Sequence, residues 1–316
     1  MEELEDSPDK EKNFEPVLDE IYSRNSLNLK AHKFKTVQLF IAVNTAIILS
    51  VLILSGGNIK VAVFAFFFGA LGPFVMLFFS KFLAKMSHGI KAIDPENFGN
   101  RNEAQLYRLV KGLSQKAGLK EMPELGMYNS PDMNAFATGW NRNHSMVAFS
   151  SALIEKMDEK SIAAVAAHEI AHVANGDMLS MTLIQSAVNA IVTLVNLGIF
   201  LLLDDDDDGV MGRISATVIR WVIVSVFMFL GNLFVLWFSR RREFAADKLA
   251  AKLIDGSAMI GALNFLKCDD NLQIPSKIAE EQSAYASFKI SSKSAVLDIF
   301  STHPSLERRI EKLKNI

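Results

Sequence analysis

The sequence predicts a membrane protein, mainly α, in which four transmembrane helices carry a water-facing α+β domain with a small β-sheet. Three observations lead there. Four apolar segments each reach the roughly 20 residues that a helix needs to cross a bilayer. Two hydrophilic blocks flank the second pair of segments, and the first block contains short strand-like runs. The 316-residue chain is 50% hydrophobic yet still 22% charged, so its apolar content is concentrated in segments.

The apolar segments pair into hairpins. Hairpin 1 (residues 36–83) joins Thr36–Ser55 to Val61–Phe82 through Gly56-Gly57-Asn58, with Gly69, Gly72 and Pro73 as an expected kink. Hairpin 2 (residues 178–238) joins Met178–Leu203 to Ile214–Phe238 through Asp204–Asp208 and Gly209. Its first member carries Thr182, Gln185, Asn189, Thr193 and Asn196 at spacings of three and four, a polar stripe suited to helix–helix hydrogen bonding. Arg220 lies close enough to the start of the last segment to snorkel outward. Lys30, Lys33, Lys35, Lys81, Lys85, Lys91 and Arg240–Arg242 flank the segments on one side, against only Lys60 and Arg213 on the other. The positive-inside rule therefore puts both termini and the hydrophilic blocks in the cytoplasm.

Outside the hairpins, residues 1–35 read as an acidic cytoplasmic arm, solvated and mobile, with nine acidic and two basic residues among the first twenty. No signal-peptide pattern is read at the start of the chain. Residues 84–177 open with a helical pattern over Asn102–Ala117, broken at Gly112, and continue as strand-like runs Glu124–Tyr128, Asn134–Thr138 and Ser145–Phe149. A helix over Glu159–Ala174 follows and stops at Asn175-Gly176. Residues 239–316 read as helices near 241–254, 257–267 and 304–314, with a loop across Asn271–Ser292. The single cysteine, Cys268, rules out an intrachain disulfide. With 33 basic against 35 acidic residues, no global field favours nucleic acid.

The chemistry is concentrated in His168-Glu169-Ile170-Ala171-His172. Histidines four apart share a helix face and reach one metal ion, while Glu169, offset by about 100°, approaches an activated water as a general base. A catalytic zinc takes a third protein ligand. Glu243 is the candidate, and Asp247, one turn on, would hold a ligand imidazole in the right tautomer. A pair of solvated carboxylates has the same spacing, so that reading stays open at this level. Two histidines and a carboxylate would also suit iron. Among the strand-like runs, Asn134-Ala135-Phe136-Ala137-Thr138-Gly139 is the best candidate to hold a peptide extended by strand addition.

These residues, with Pro131-Asp132-Met133, Val173-Ala174-Asn175-Gly176-Asp177, Ser239–Asp247 and Thr302-His303-Pro304-Ser305-Leu306 through Arg309-Ile310, resemble the HtpX-like membrane proteases of the M48 metallopeptidase family. The resemblance covers roughly residues 36–314. It implies a zincin-type catalytic domain and one Zn2+ per chain on His168, His172 and Glu243, with Glu169 as catalytic base. It also implies that His303 stabilises the oxyanion and that Arg309 borders the cleft beside Asn134, Ala135 and Phe136. The setting it implies is the bacterial inner membrane, in stress-response quality control. Substrates would be misfolded or damaged membrane proteins, cut on the cytoplasmic side, in a pathway shared with an ATP-dependent membrane protease. Two other readings remain. One is a processing protease for lipid-modified C-termini, and the other is a non-catalytic membrane scaffold or transporter. In two respects the chain departs from the pattern: the long acidic arm, and Ser305 where a second proline is expected, at a position read as helix N1.

Overall fold

The structure, a computed structural model, describes residues 12–23, 72–203, 210–272 and 304–315, with a few single positions between 45 and 63. The first apolar segment, most of the second, the Asp204–Asp208 run, His303 and most of the Asn271–Ser292 stretch lie outside the described residues. The chain divides into two compact units. One comprises Met1–Lys30, Phe79–Asp177 and Arg240–Ile316, the other Ala31–Phe78 and Met178–Ser239.

The first unit is built around a four-stranded mixed sheet of β1 (Lys91–Ala92), β2 (Glu124–Tyr128), β3 (Ala135–Gly139) and β4 (Ser145–Ser150). The spatial order is β1-β2-β4-β3, with β2 and β4 parallel and β3 antiparallel to β4, Phe136 opposite Ala148. Every residue of β4 is buried, so this strand is covered on both faces, while β3 forms one margin of the sheet. Helix α5 (Glu159–Asn175) packs on β3 and β4, and α3 (Arg101–Lys116) packs on α5. Between β4 and α5 lies the short α4 (Ser151–Lys156), capped by the Ser150 side chain. On α3, Leu106, Leu109, Val110 and Leu113 recur at helical spacing and are fully buried. On α5, Ala163, Ala166, Ala167, Ala171 and Ala174 are buried, and side chains that small let neighbouring elements approach closely.

Residues 12–23 correct the expectation of a mobile arm. Helix α1 (Glu15–Ser23) buries Val17, Leu18 and Ile21, and with Phe14 just before its start these form a stripe at spacings of three and four that packs against α3 and α5. The approach is fastened by Lys12, whose Nζ donates to the Met157 carbonyl at 2.6 Å, and by Phe14 N–H donating to Gln105 Oε1 at 3.1 Å. Gly112 does not break α3 as expected. A β-carbon there would stand 3.1 Å from the Tyr22 hydroxyl, so the glycine makes room for α1.

Helix α2 (Gly72–His88) enters this unit at Phe79 and meets the sheet through Lys81 and Lys85, both paired with Glu124, and through His88, whose ring lies 5.2 Å from Phe136. Helices α8 (Gly256–Leu272) and α9 (Leu306–Lys314) pack on each other, and α8 packs on α5. Ser305 is the N-cap of α9 rather than its first helical residue.

The second unit holds the start of α2, Gly72–Phe78, and the greater part of two long helices, α6 (Asp177–Leu203) and α7 (Val210–Leu253). Both are long and apolar enough to cross a membrane, over Asp177–Ile199 and Thr217–Leu253, and they are the two such helices among the described residues. The last apolar segment and the helix expected at 241–254 are one continuous 44-residue helix, because Arg240–Arg242 interrupt hydropathy without interrupting helix propensity. Of the polar stripe on α6, Asn196 bonds the neighbouring helix, its Oδ1 accepting from Arg220 Nε at 2.7 Å, whereas the Thr182 and Thr193 hydroxyls donate to carbonyls of their own helix. Within α6, Gln185 Nε2 donates to Asn189 Oδ1 at 2.9 Å. Gly231 admits Val188, whose Cγ1 would lie 2.4 Å from a β-carbon there.

Candidate metal centre

Helix α5 is set by a capped start and a glycine stop. Asp158 accepts the Ser161 N–H at its N-terminus, and Gly176 ends it in the left-handed conformation at φ 70°, which a side chain resists. Between these ends His168 and His172 share one face, and their Nε2 atoms approach to 3.1 Å. Glu243 on α7 faces both, its carboxylate oxygens 3.5 Å from His168 Nε2 and 3.4 Å from His172 Nε2. Ligand atoms of all three residues lie within 4.8 Å of one another, and all three side chains are at least 88% buried.

The donor set fits one zinc ion. Ligands about 2.0–2.1 Å from a tetrahedral zinc stand about 3.3 Å apart, which is the spacing these atoms already have. Each imidazole turns its other nitrogen to its own carboxylate: His168 Nδ1 to Asp247 Oδ1 at 2.9 Å, and His172 Nδ1 to Asp177 Oδ2 at 2.6 Å. A carboxylate on Nδ1 fixes the proton there and leaves the Nε2 lone pair for a metal.

Arg309, expected at the border of the cleft, is buried beside Asp247. Its Nε and Nη2 donate to the two Asp247 oxygens at 2.8 and 2.6 Å, and Nη2 lies 3.3 Å from His168 Nδ1. Burial alone would raise the Asp247 carboxyl, but Arg309 and His168 together hold it down at about 2. Without a metal, burial and the Arg309 charge disfavour an imidazolium at His168, yet the Asp247 and Glu243 carboxylates outweigh them and lift it to about 9.

Glu169 is 8% exposed, beside His168 in sequence, and its charge reaches both Arg309 and Tyr128. The Tyr128 hydroxyl is pushed up to about 12, chiefly by burial, with Glu169 and Asp132 adding and the Asn134 side chain opposing. Asn134 is exposed, and Ala135 and Phe136 are half-buried on β3, which packs against α5. The edge strand and the helix of His168 and His172 thus lie side by side in one unit. Two residues here received no role from the sequence reading. Asp177 closes the quoted motif, but it sits five residues past His172, beyond the helix break at Gly176, so helical spacing could not pair it with that histidine; Tyr128 carries no motif at all.

Known proteins resemble this chain in sequence and in fold. Residues 100–316 match peptidase family M48. The chain is 39% identical to a protein named Protease HtpX from Tolumonas auensis over 299 residues, which is 89% of this chain and 99% of that one. It is 40% identical to Protease HtpX of Acinetobacter baumannii over 270 residues, 82% and 86% of the two chains, and 40% identical to that of Stutzerimonas stutzeri over 257 residues, 80% and 86%. Its fold is similar to the crystal structure of S. mikatae Ste24p, with a TM-score of 0.57 at 16% identity. That match takes in 89% of this chain but 65% of the other, and shows a shared fold alone.

Proposed function

The chain belongs to peptidase family M48 and is a membrane metalloprotease, and from that premise we propose that it is a zinc-dependent endopeptidase cutting unfolded or damaged membrane proteins on the cytoplasmic side. The observation that carries the reading is the meeting of two imidazole Nε2 atoms with the Glu243 carboxylate, each imidazole backed by its own carboxylate. His168, His172 and Glu243 hold one zinc per chain. Bound there, zinc supplies Lewis-acid polarisation of the attacking water and of the scissile carbonyl.

The remaining steps belong to the chain's own residues. The outer edge of β3, Ala135–Gly139, takes the substrate backbone as an added strand, so that alternate side chains point toward and away from α5. The Glu169 carboxylate accepts a proton as water attacks the carbonyl carbon, then passes it to the departing amine nitrogen when the C–N bond breaks. Water is consumed, and one carboxylate and one amine are released. His303 is assigned the oxyanion on the strength of the His-Pro resemblance alone.

The basic residues at the ends of the apolar segments support the orientation. The inner-membrane, multi-pass setting in protein quality control, alongside an ATP-dependent membrane protease, rests on the motif resemblance alone. The test is cleavage of casein by the purified full-length protein in detergent. Activity should disappear with a chelator and return with added zinc. Cleavage that persists through exhaustive chelation would contradict the assignment.

A further inference from the structure

We propose that Asp177 is a positioning residue for the metal centre and that Arg242 fixes it in place, so that His172 is oriented from outside its own helix. The inference rests on the reading of His172 as a zinc ligand. It follows from where the chain places one carboxylate.

Helix α5 ends at Asn175, Gly176 turns the backbone left-handed, and Asp177 begins α6. That turn swings the next side chain back toward the helix it has just left. The Asp177 carboxylate is thereby brought to 2.6 Å from His172 Nδ1, a residue it could not face on an uninterrupted helix, since positions five apart lie about 140° apart around the axis. Asp177 is 6% exposed and so makes this contact largely out of water, where a charge-assisted hydrogen bond is strong.

The backbone carrying that carboxylate is held from a second helix. Arg242 Nη1 donates to the Asp177 carbonyl at 3.3 Å, and Arg242 Nη2 stands 3.9 Å from Glu243 Oε1. One guanidinium therefore touches the segment that orients His172 and approaches the neighbouring ligand carboxylate on α7. Arg142, from the turn between β3 and β4, adds a second positive charge whose field reaches Asp177. Each histidine thus has its own carboxylate, but the arginines act differently: Arg309 donates to both oxygens of the Asp247 carboxylate, whereas Arg242 donates to the backbone carbonyl of Asp177.

The experiment uses the full-length protein in detergent and measures zinc affinity by competition with a chromogenic chelator, the visible spectrum of the cobalt-substituted protein, and the unfolding temperature of the metal-free form. Asp177→Asn and Arg242→Ala should each weaken zinc binding about 10- to 100-fold and alter the cobalt bands, with the metal-free unfolding temperature unchanged. Arg242→Lys, which keeps a donor and the charge, should recover most of the affinity. Wild-type zinc affinity and cobalt bands in both Asp177→Asn and Arg242→Ala would overturn the proposal. So would a loss of affinity matched by a loss of metal-free stability in both variants, since that marks a structural role only. Failure of the wild-type protein itself to bind zinc would instead sink the metal-centre reading, and this inference with it.

Discussion

Arg309 grips both oxygens of the Asp247 carboxylate, at 2.8 and 2.6 Å, with both residues at least 95% buried. Asp247 in turn holds His168 Nδ1. A residue near the C-terminus thereby sets the tautomer of a histidine in the middle of the chain. Removing one member of such a pair leaves a buried charge uncompensated, at a cost of about 3–5 kcal/mol. Arg309→Ala should lower the unfolding temperature sharply and weaken zinc binding. Arg309→Lys should rescue poorly, because an ammonium cannot donate to both oxygens in one plane. Unfolding curves of the three proteins decide it: a wild-type curve for Arg309→Ala would contradict this account of the pair.

The amino-terminal helix should matter to stability and not to metal binding. Phe14 and Ile21 are each 1% exposed. Truncating them opens cavities that cost about 3–5 kcal/mol for Phe14→Ala and about 2–5 kcal/mol for Ile21→Ala. Thermal unfolding should shift downward in both while zinc affinity stays at the wild-type value. A solvated arm would show no shift at all.

Zinc binding should be proton-linked through His168. Without metal this imidazole sits at about 9, above its ordinary 6.5, so it is protonated at neutral pH and a metal must displace that proton. Affinity should therefore rise with pH, about tenfold per unit between pH 6.5 and 8.5, and flatten above pH 9. The sign for folding is opposite. In the metal-free protein the raised value stabilises the fold fully below pH 6.5, and that contribution is lost as pH climbs through 9. Calorimetric titration with zinc in buffers of different ionisation enthalpy reads the proton count directly. No proton release at pH 7 would contradict the assignment to His168.

These features differ in how far the sequence reveals them. The His168–His172 helix, its stop at Asn175-Gly176 and three of the four strands of the sheet are legible because each rests on local pattern: a spacing of four, a glycine cap, short apolar runs between turns; the two-residue, exposed β1 carries no such pattern. Helix α1 also carried its signal, since Phe14, Val17, Leu18 and Ile21 form one stripe, but the surrounding acidic residues hid it. The run Arg240–Arg242 ends the hydropathy of the last apolar segment without ending α7, so charge misled where helix propensity did not. The roles of Asp177 and Arg309 depend on a backbone reversal and on a contact between residues 62 apart in sequence, and no local pattern encodes either.

The central claim is that Glu169 moves the proton while Glu243 holds the metal, and one comparison tests it most directly: zinc content and casein cleavage for the wild type, Glu169→Gln and Glu243→Ala. The account predicts about one zinc per wild-type chain with chelator-sensitive cleavage. Glu169→Gln should keep the zinc and lose cleavage, and Glu243→Ala should lose both. Wild-type cleavage by Glu169→Gln, or full zinc occupancy in Glu243→Ala, would contradict it.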